Sequence, residues 1–313
     1  MRHCQCDLDS HIFVLTLGSP KKVMGRVVAV ANQKGGVGKT TTAINLASSL
    51  AAADVKTLLI DCDPQANATS GLGFAKDPDR LSTYHLLMAE ATAEQAVQQT
   101  QLKQLFLIPG HKNLIGANLE LVEAEGREFR LRNAIQPLRE QFEFVVLDCP
   151  PALDLLTLNA LAAADSVLIP MQAEYFALEG VSELLDTVER IRAGLNPDLA
   201  IEGVVLTMFD DRTNLAQQVT EELKKYFGDK LCKTTIPRNV RLAEAPSHGK
   251  PVLLYDVKSR GAESYIELAT EILGHYMPAQ NEQREDEKQV VNAPRWKRWR
   301  ERNKLITINI SER

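Results

Sequence analysis

A glycine-rich segment followed by a lysine and two threonines holds the strongest chemical signal in this sequence of 313 residues. It lies between an apolar run and a run suited to a helix, and it consists of Gly35, Gly36, Val37, Gly38, Lys39, Thr40 and Thr41. Glycines allow backbone N–H groups to curve around phosphate oxygens, and the following helix presents the positive end of its dipole. This order of residues predicts a loop that binds the phosphates of a nucleoside triphosphate.

Two side chains of this loop have the chemistry to act on phosphates. Lys39 is expected to contact the β- and γ-phosphates, and the Thr40 hydroxyl is expected to bind Mg²⁺. A further lysine, Lys34, immediately precedes the glycines.

Carboxylates end two other apolar runs. Asp61 and Asp63 end one run, and Asp148 ends another. An acid at a strand tip beside a phosphate loop positions Mg²⁺, so Asp61 and Asp148 are predicted to join Thr40 around the metal. Asp61 or Asp63 is also suited to orient the attacking water. For each acid alone, capping of the following helix is the alternative role.

Short apolar runs alternate with amphipathic helical patterns, which predicts an α/β fold. Several runs are almost continuous in Val, Leu and Ile, as expected of strands buried on both faces. The predicted strands cover 27–31, 57–61, 105–109, 144–148, 166–170, 201–208 and 233–237, and predicted helices include 42–53, 178–191 and 215–227. We expect a mostly parallel, twisted sheet flanked by helices on both faces, with ligands at the carboxyl ends of its strands.

One folded domain is predicted from 24 to 278, with an extension at each end. Residues 1–23 show no sustained periodicity, so we expect a disordered N-terminal extension, with Met24 as an alternative start of the protein. The apolar window from 12 to 17 is too short for a signal peptide or a membrane span. Residues 279–313 form a charged tail with a basic stretch that contains two tryptophans.

The net charge of −5 comes from 36 Lys and Arg against 41 Asp and Glu. This balance argues against a surface that is basic all over, so any contact with nucleic acid or an anionic membrane must be local. Five scattered cysteines without a C-x-x-C pair argue against a disulfide scaffold or a structural zinc site, and they favour the cytoplasm.

Several longer segments resemble the ParA/Soj family of chromosome- and plasmid-partitioning ATPases. Lys34 completes KGGVGKTT, which is similar to the deviant Walker A signature of the ParA/MinD group. The matching segments begin at Ala31, Leu58, Val145, Ala173, Thr207 and Ile236, and the resemblance spans about residues 26–274. It implies a P-loop NTPase fold and hydrolysis of ATP with Mg²⁺.

The resemblance also implies catalytic roles, position by position. Lys34 matches the lysine that reaches the nucleotide of the partner subunit in a sandwiched dimer, and Asp148 matches the Walker B acid. Asp63 matches the aspartate needed for hydrolysis. Together with Lys39, Lys34 and Asp63 form the predicted catalytic set.

Contacts with adenine and DNA are implied in the same way. Pro237 and Asn239 match positions that hold the adenine, and Met208 is a weaker candidate. Arg212 and Arg241 match positions implicated in DNA binding without sequence preference. The family's cycle implies an ATP-dependent homodimer that binds DNA in the nucleoid until a ParB-like activator stimulates hydrolysis.

Alternatives remain at this level. A MinD-like cell-division ATPase shares the signature, and the tail could imitate its amphipathic membrane helix, although the apolar residues at the end of the tail alternate more like a strand. The tail could instead be a DNA-binding arm. A reductase-type relative would need cysteines for an iron–sulfur cluster, but Cys62 and Cys149 adjoin predicted nucleotide-site acids and suit packing better. GTP is disfavoured because the one Asn-Lys pair, at 303–304, lacks the N-K-x-D pattern.

Overall fold

The computed structural model describes residues 24–75, 77–174 and 177–276. The predictions for residues 1–23 and for the tail at 279–313 lie outside the described residues.

Among the residues described, eight strands form a single sheet whose pairs are parallel except at one edge. They are β1 (Arg26–Val30), β2 (Thr57–Asp61), β3 (Gln98–Gln99), β4 (Leu105–Ile108), β5 (Phe144–Asp148), β6 (Ser166–Gln172), β7 (Ala200–Phe209) and β8 (Leu231–Pro237). The order across the sheet is β3-β4-β2-β5-β1-β6-β7-β8. The mostly parallel sheet is confirmed. The antiparallel edge strand β3 was not predicted, because two glutamines carry no apolar pattern.

Twelve α-helices connect the strands within the described residues. They are α1 (Lys39–Ala52), α2 (Asn67–Gly71), α3 (Thr83–Leu87), α4 (Ala93–Ala96), α5 (Leu114–Glu120), α6 (Arg130–Ile135), α7 (Leu155–Ala163), α8 (Ala177–Gly194), α9 (Asn214–Phe227), α10 (Val240–Glu244), α11 (Val252–Tyr255) and α12 (Arg260–Tyr276). None of the helices described is both long and apolar enough to cross a membrane.

Both faces of the sheet are buried, because successive side chains of a strand point to opposite faces. In β1, Val28 and Val30 pack in one hydrophobic cluster with α1 and α12, whereas Val27 and Ala29 pack in a second cluster on the other face. The second cluster includes buried residues of α3 and of α5 to α9. This arrangement confirms helices on both faces.

The register of the central strands fixes the edge at which chemistry can occur. Val30, at the end of β1, lies opposite Asp148 of β5, and Asp148 lies opposite Asp61 of β2. Parallel pairing therefore brings both acids level with the start of the glycine-rich loop that leaves β1.

A buried carboxylate ties the C-terminal end of α12 to the sheet. Glu202 of β7 accepts hydrogen bonds from Ser166 at 2.7 Å, from Tyr276 and from Nδ1 of His275 at 3.1 Å, and it lies 3.7 Å from the Arg26 guanidinium. Burial by itself would raise the pKa of Glu202, but the bonds from Tyr276, Ser166 and His275 and the charge of Arg26 outweigh burial and lower it. Glu202 is therefore held as a charged hub between α12 and the sheet.

Replacing this hub should destabilise the fold. We expect Glu202→Ala to lower the free energy of unfolding by about 2–4 kcal/mol, since it leaves buried donors unpaired. Because the pKa of Glu202 is lowered, its contribution is present above the ordinary value of 4.5 and is lost as the pH falls below it. Urea unfolding at neutral pH measures the effect, with the exposed Glu125→Ala as the control. Equal free energies of unfolding for the two variants would contradict this structural role of Glu202.

Candidate nucleotide-binding site

The glycine-rich loop between β1 and α1 has a backbone that requires glycine. Gly36 and Gly38 have φ values of 75° and 86°, in the left-handed region that other residues enter at a cost. Helix α1 begins at Lys39, and among the described residues no side chain caps its first turn and no acidic residue lies in it. The N–H groups at this helix start are therefore suited to phosphate oxygens.

Neighbouring strands hold this loop in shape. Asn32 donates from Nδ2 to the carbonyl of Pro170 at 2.8 Å, and its Oδ1 accepts from the N–H of Lys34 at 3.0 Å. On the other side, Oγ1 of Thr207 donates to the carbonyl of Val37 at 2.8 Å. These contacts with β6 and β7 thus hold the glycine-rich loop in place.

Lys39 points into the curve of the loop. Its side chain is 7% exposed, and Nζ donates to the carbonyl of Lys34 at 3.0 Å. Burial lowers the pKa of Lys39, while the charges of Asp148 and Asp63 oppose that change. The ammonium group therefore lies where it can contact phosphates that the loop backbone binds.

Asp148 is a buried acid without a hydrogen-bond donor. It is 0% exposed, and neither carboxylate oxygen accepts a hydrogen bond from the described residues. Burial raises the pKa of Asp148 well above its ordinary range, and the charge of Asp61 adds to this, whereas the Thr40 hydroxyl, which lies close by without forming a hydrogen bond of good geometry, lowers it. A buried, unpaired carboxylate is costly, and a cation would compensate it. Asp148 and Thr40 therefore fit the predicted Mg²⁺ site.

The second acid at this edge is already engaged. Asp61 accepts from the N–H and the hydroxyl of Thr69 at 2.8 and 2.7 Å, and from the N–H of Asp63 at 3.2 Å. Burial raises the pKa of Asp61 to about 6 against these bonds. A Cβ at Gly110 would lie 2.8 Å from the Asp61 carboxyl carbon, so the loop that follows β4 also packs against Asp61. Asp61 shapes the loop after β2, and its role at the metal remains a prediction.

Asp63 is held in a tight turn beside the loop. Its Oδ1 accepts from the N–H of Gln65 at 2.9 Å, and its carbonyl accepts from the N–H of Ala66 at 2.9 Å. Ala66 has a φ of 53°, a conformation that favours glycine. The side chain of Asp63 is mostly buried and its charge acts on Lys39. The turn therefore places a carboxylate near the phosphate site.

Within the part of the chain that the structure describes, no group of three or more His, Cys, Asp or Glu side chains could hold a metal ion by itself. A metal at Asp148 and Thr40 would thus need other oxygen ligands, such as phosphates and water. Cys62 and Cys149 are buried, and burial raises the pKa of both thiols. Their burial favours a packing role over ligation of an iron–sulfur cluster.

The residues predicted to hold the adenine lie at the ends of two neighbouring strands. Met208 has a φ of 48° in β7, and its Sδ accepts from Nε2 of Gln172 at 3.1 Å. Pro237 ends β8 opposite Phe209. Asn239 caps α10, because its Oδ1 accepts from the N–H of Arg241 at 2.8 Å. The strand ends bring these positions to the same edge as the loop.

Both arginines predicted to bind DNA lie in loops or helices that follow these strand ends, and both form ion pairs. Arg212 contacts Asp210 at 2.7 Å. Arg241 contacts Glu244 at 2.8 Å and Asp256 at 3.4 Å. Side chains near the surface of the same subunit thus neutralise both cations.

Sequence reasoning missed several residues that shape the site. Thr207, Gln172 and Thr69 contact the loop or its acids, and Glu174 forms an ion pair with Lys34 at 2.6 Å. None belongs to a phosphate-binding pattern. Two of them share a positional signal, because Gln172 and Thr207 lie near the carboxyl ends of β6, which pairs with β1, and of β7, which pairs with β6.

Comparisons with known proteins identify the family of the chain. The profile of a family described as "AAA domain" matches residues 25–201. The chain is 52% identical over 255 residues to the chromosome partitioning protein ParA of Myxococcus xanthus, covering 82% of this chain and 90% of that protein. It is 54% identical over 249 residues to the sporulation initiation inhibitor protein Soj of Bacillus subtilis, covering 80% and 98% respectively.

Solved structures show the same fold. Cobyrinic acid a,c-diamide synthase from Mycobacterium smegmatis, with bound ADP and magnesium, has a TM-score of 0.70 at 35% identity and covers 82% of this chain and 97% of that one. The cell division ATPase MinD of Pyrococcus furiosus has a TM-score of 0.67 at 27% identity, covering 80% and 100%. The P-loop fold of the ParA/MinD group is therefore confirmed. With about half of its residues identical to ParA and Soj proteins over most of its length, the chain belongs to the ParA/Soj family of chromosome-partitioning ATPases.

Proposed function

We propose that this ATPase acts as a DNA-partitioning switch: an ATP-bound homodimer binds DNA without sequence preference, and a ParB-like activator stimulates the hydrolysis that releases it. The buried, unpaired carboxylate of Asp148 beside Thr40 carries the nucleotide part of this proposal, because it suits Mg²⁺ bound with a triphosphate. Identity to ParA and Soj proteins supports the partitioning part. The cytoplasm, with association to the nucleoid when ATP is bound, is the corresponding location.

Residues of the loop and the strand ends divide the chemistry between them. The backbone from Gly35 to Thr41 would bind the phosphates, and Lys39 would stabilise charge on the β- and γ-phosphates. Thr40 and Asp148 would hold Mg²⁺, which neutralises charge that develops on the phosphate oxygens. Asp63, fixed by its turn, would orient water for in-line attack. Lys34 would contribute its charge to the partner's nucleotide.

The strand ends of β7 and β8 supply the remaining contacts. Pro237, Asn239 and the weaker candidate Met208 would border the adenine. Arg212 and Arg241 would contact DNA phosphates, which carry no sequence information. Two copies in a dimer double the number of these contacts, so a net-acidic chain binds DNA usefully only when paired.

A MinD-like role at the membrane has weaker support. The MinD structure shares 27% identity with this chain, against 52% and 54% for the ParA and Soj proteins. Sedimentation with anionic liposomes and ATP tests it, and we expect the chain to stay in the supernatant.

Loss of the water-orienting carboxylate should separate binding from hydrolysis. We expect Asp63→Ala to bind ATP and DNA and to dimerise, but to turn over at least about 10²-fold more slowly, because no carboxylate then orients the attacking water. Phosphate release and sizing chromatography measure the two properties, with the exposed Asp198→Ala as the control. Wild-type turnover in Asp63→Ala would refute its assignment.

Loss of Arg241 should weaken DNA binding without affecting dimerisation. A dimer would lose two phosphate contacts, so the slope of log K against log salt should fall by about 1.8, at about 0.9 for each contact. Fluorescence anisotropy of a labelled duplex with a non-hydrolysable ATP analogue measures it. Lys103→Ala removes an exposed charge next to the opposite edge of the sheet and serves as the control. An unchanged slope for Arg241→Ala would place the DNA contact elsewhere.

A further inference from the structure

The lysine that distinguishes the phosphate loop has a partner within its own subunit. Nζ of Lys34 lies 2.6 Å from Oε2 of Glu174, and the two side chains are 43% and 51% exposed. This is the one ion pair that Lys34 makes among the described residues. The contact spans 140 positions of sequence, so the fold creates it rather than local spacing.

The turn that carries Glu174 is attached to the phosphate loop at a second point. Gln172 ends β6 and donates from Nε2 to the carbonyl of Gly36 at 3.3 Å. The N–H of Glu174 donates to the carbonyl of Gln172 at 2.9 Å, which closes a tight turn. A change at the loop therefore reaches Glu174 through both the side chain of Lys34 and the backbone of Gly36.

We propose that Glu174 is a positioning residue that holds Lys34 within its own subunit and releases it only when the ATP-bound dimer forms. The inference rests on the proposed function, in which Lys34 contacts the nucleotide of the partner. To reach phosphates bound by another subunit, the Lys34 ammonium exchanges its contact with Glu174 for contacts with phosphate oxygens, so the ion pair opens as the dimer closes.

Competition between the carboxylate and the phosphates makes this exchange selective. Glu174 offers one negative charge, whereas the triphosphate of ATP offers several, including those on the γ-phosphate. A partner subunit that carries ADP lacks that group and attracts Lys34 less strongly. Opening the ion pair costs the same in both dimers, so Glu174 weakens both by the same factor, and the γ-phosphate offsets that cost only when ATP is bound.

The size of the effect follows from exposure and symmetry. Ion pairs with this exposure change an equilibrium by about 1.4- to 5-fold. A symmetric dimer must open two such pairs, so the two factors multiply. Glu174 should therefore raise the dimer dissociation constant by about 2- to 25-fold.

Sedimentation equilibrium with Mg²⁺ and a non-hydrolysable ATP analogue tests the proposal. We expect Glu174→Gln to lower the dimer dissociation constant by about 2- to 25-fold and to permit some dimer with ADP. Glu174→Asp keeps the negative charge, so its dimer dissociation constant should be close to that of the wild type. Glu189→Gln removes an exposed ion pair on α8, with Arg192, and should behave as wild type. A constant that is unchanged or raised in Glu174→Gln would overturn the proposal.

A second readout does not depend on dimerisation. Acetylation of the Lys34 amine by acetic anhydride, measured by mass spectrometry without nucleotide, should be faster in Glu174→Gln than in wild type or in Glu189→Gln. Equal rates would contradict the ion pair with Glu174. If wild-type protein does not dimerise with ATP, the proposed function fails, whereas the acetylation rates still decide whether Glu174 restrains Lys34.

Discussion

The parallel, in-register pairing of β1, β5 and β2 is the constraint on which the site depends. It places Val30, Asp148 and Asp61 level at one edge of the sheet, so the loop that leaves β1 meets acids from two other strands. Burial raises the pKa of both acids, but their surroundings differ. Donors from Thr69 and Asp63 engage Asp61, whereas Asp148 accepts no hydrogen bond from the described residues. Only Asp148 is thus left in need of a cation.

The cations expected to contact other molecules share a different property. Lys34 pairs with Glu174, Arg212 with Asp210, and Arg241 with Glu244 and Asp256. Each acid belongs to the same subunit as the cation, in a chain whose net charge is −5. Exposed pairs of this kind are weak, so a strongly anionic ligand can displace the carboxylate. This arrangement suits a protein that binds its partners in one nucleotide state and releases them in another.

The sequence predicts the central strands and the loop well, because their signals are local. The runs at 57–61 and 144–148 match β2 and β5, since continuous apolar residues are typical of strands buried on both faces. Helix α1 begins at Lys39, whereas the predicted helix begins at 42. The prediction starts late because the polar first turn of α1 carries no apolar pattern. The engagement of Asp61 by Thr69 and the pairing of Lys34 with Glu174 depend on segments that only the fold brings together. Local reasoning therefore identifies the acids but cannot tell which of them is already satisfied.

Asp148 is buried and accepts no hydrogen bond from the described residues, and in the proposed function it holds Mg²⁺ together with ATP. Burial raises the pKa of Asp148, and metal binding requires its ionised form, so Mg²⁺ should release protons at each pH at which the free site keeps part of its proton. Calorimetric titration with Mg²⁺ and a non-hydrolysable ATP analogue, at a series of pH values from acidic to neutral and in buffers of different ionisation enthalpy, counts the protons exchanged. We predict that the wild-type chain releases more protons than Asp148→Asn when Mg²⁺ is present, and that the difference disappears when Mg²⁺ is chelated. Equal proton counts for the two proteins with Mg²⁺ would contradict this account.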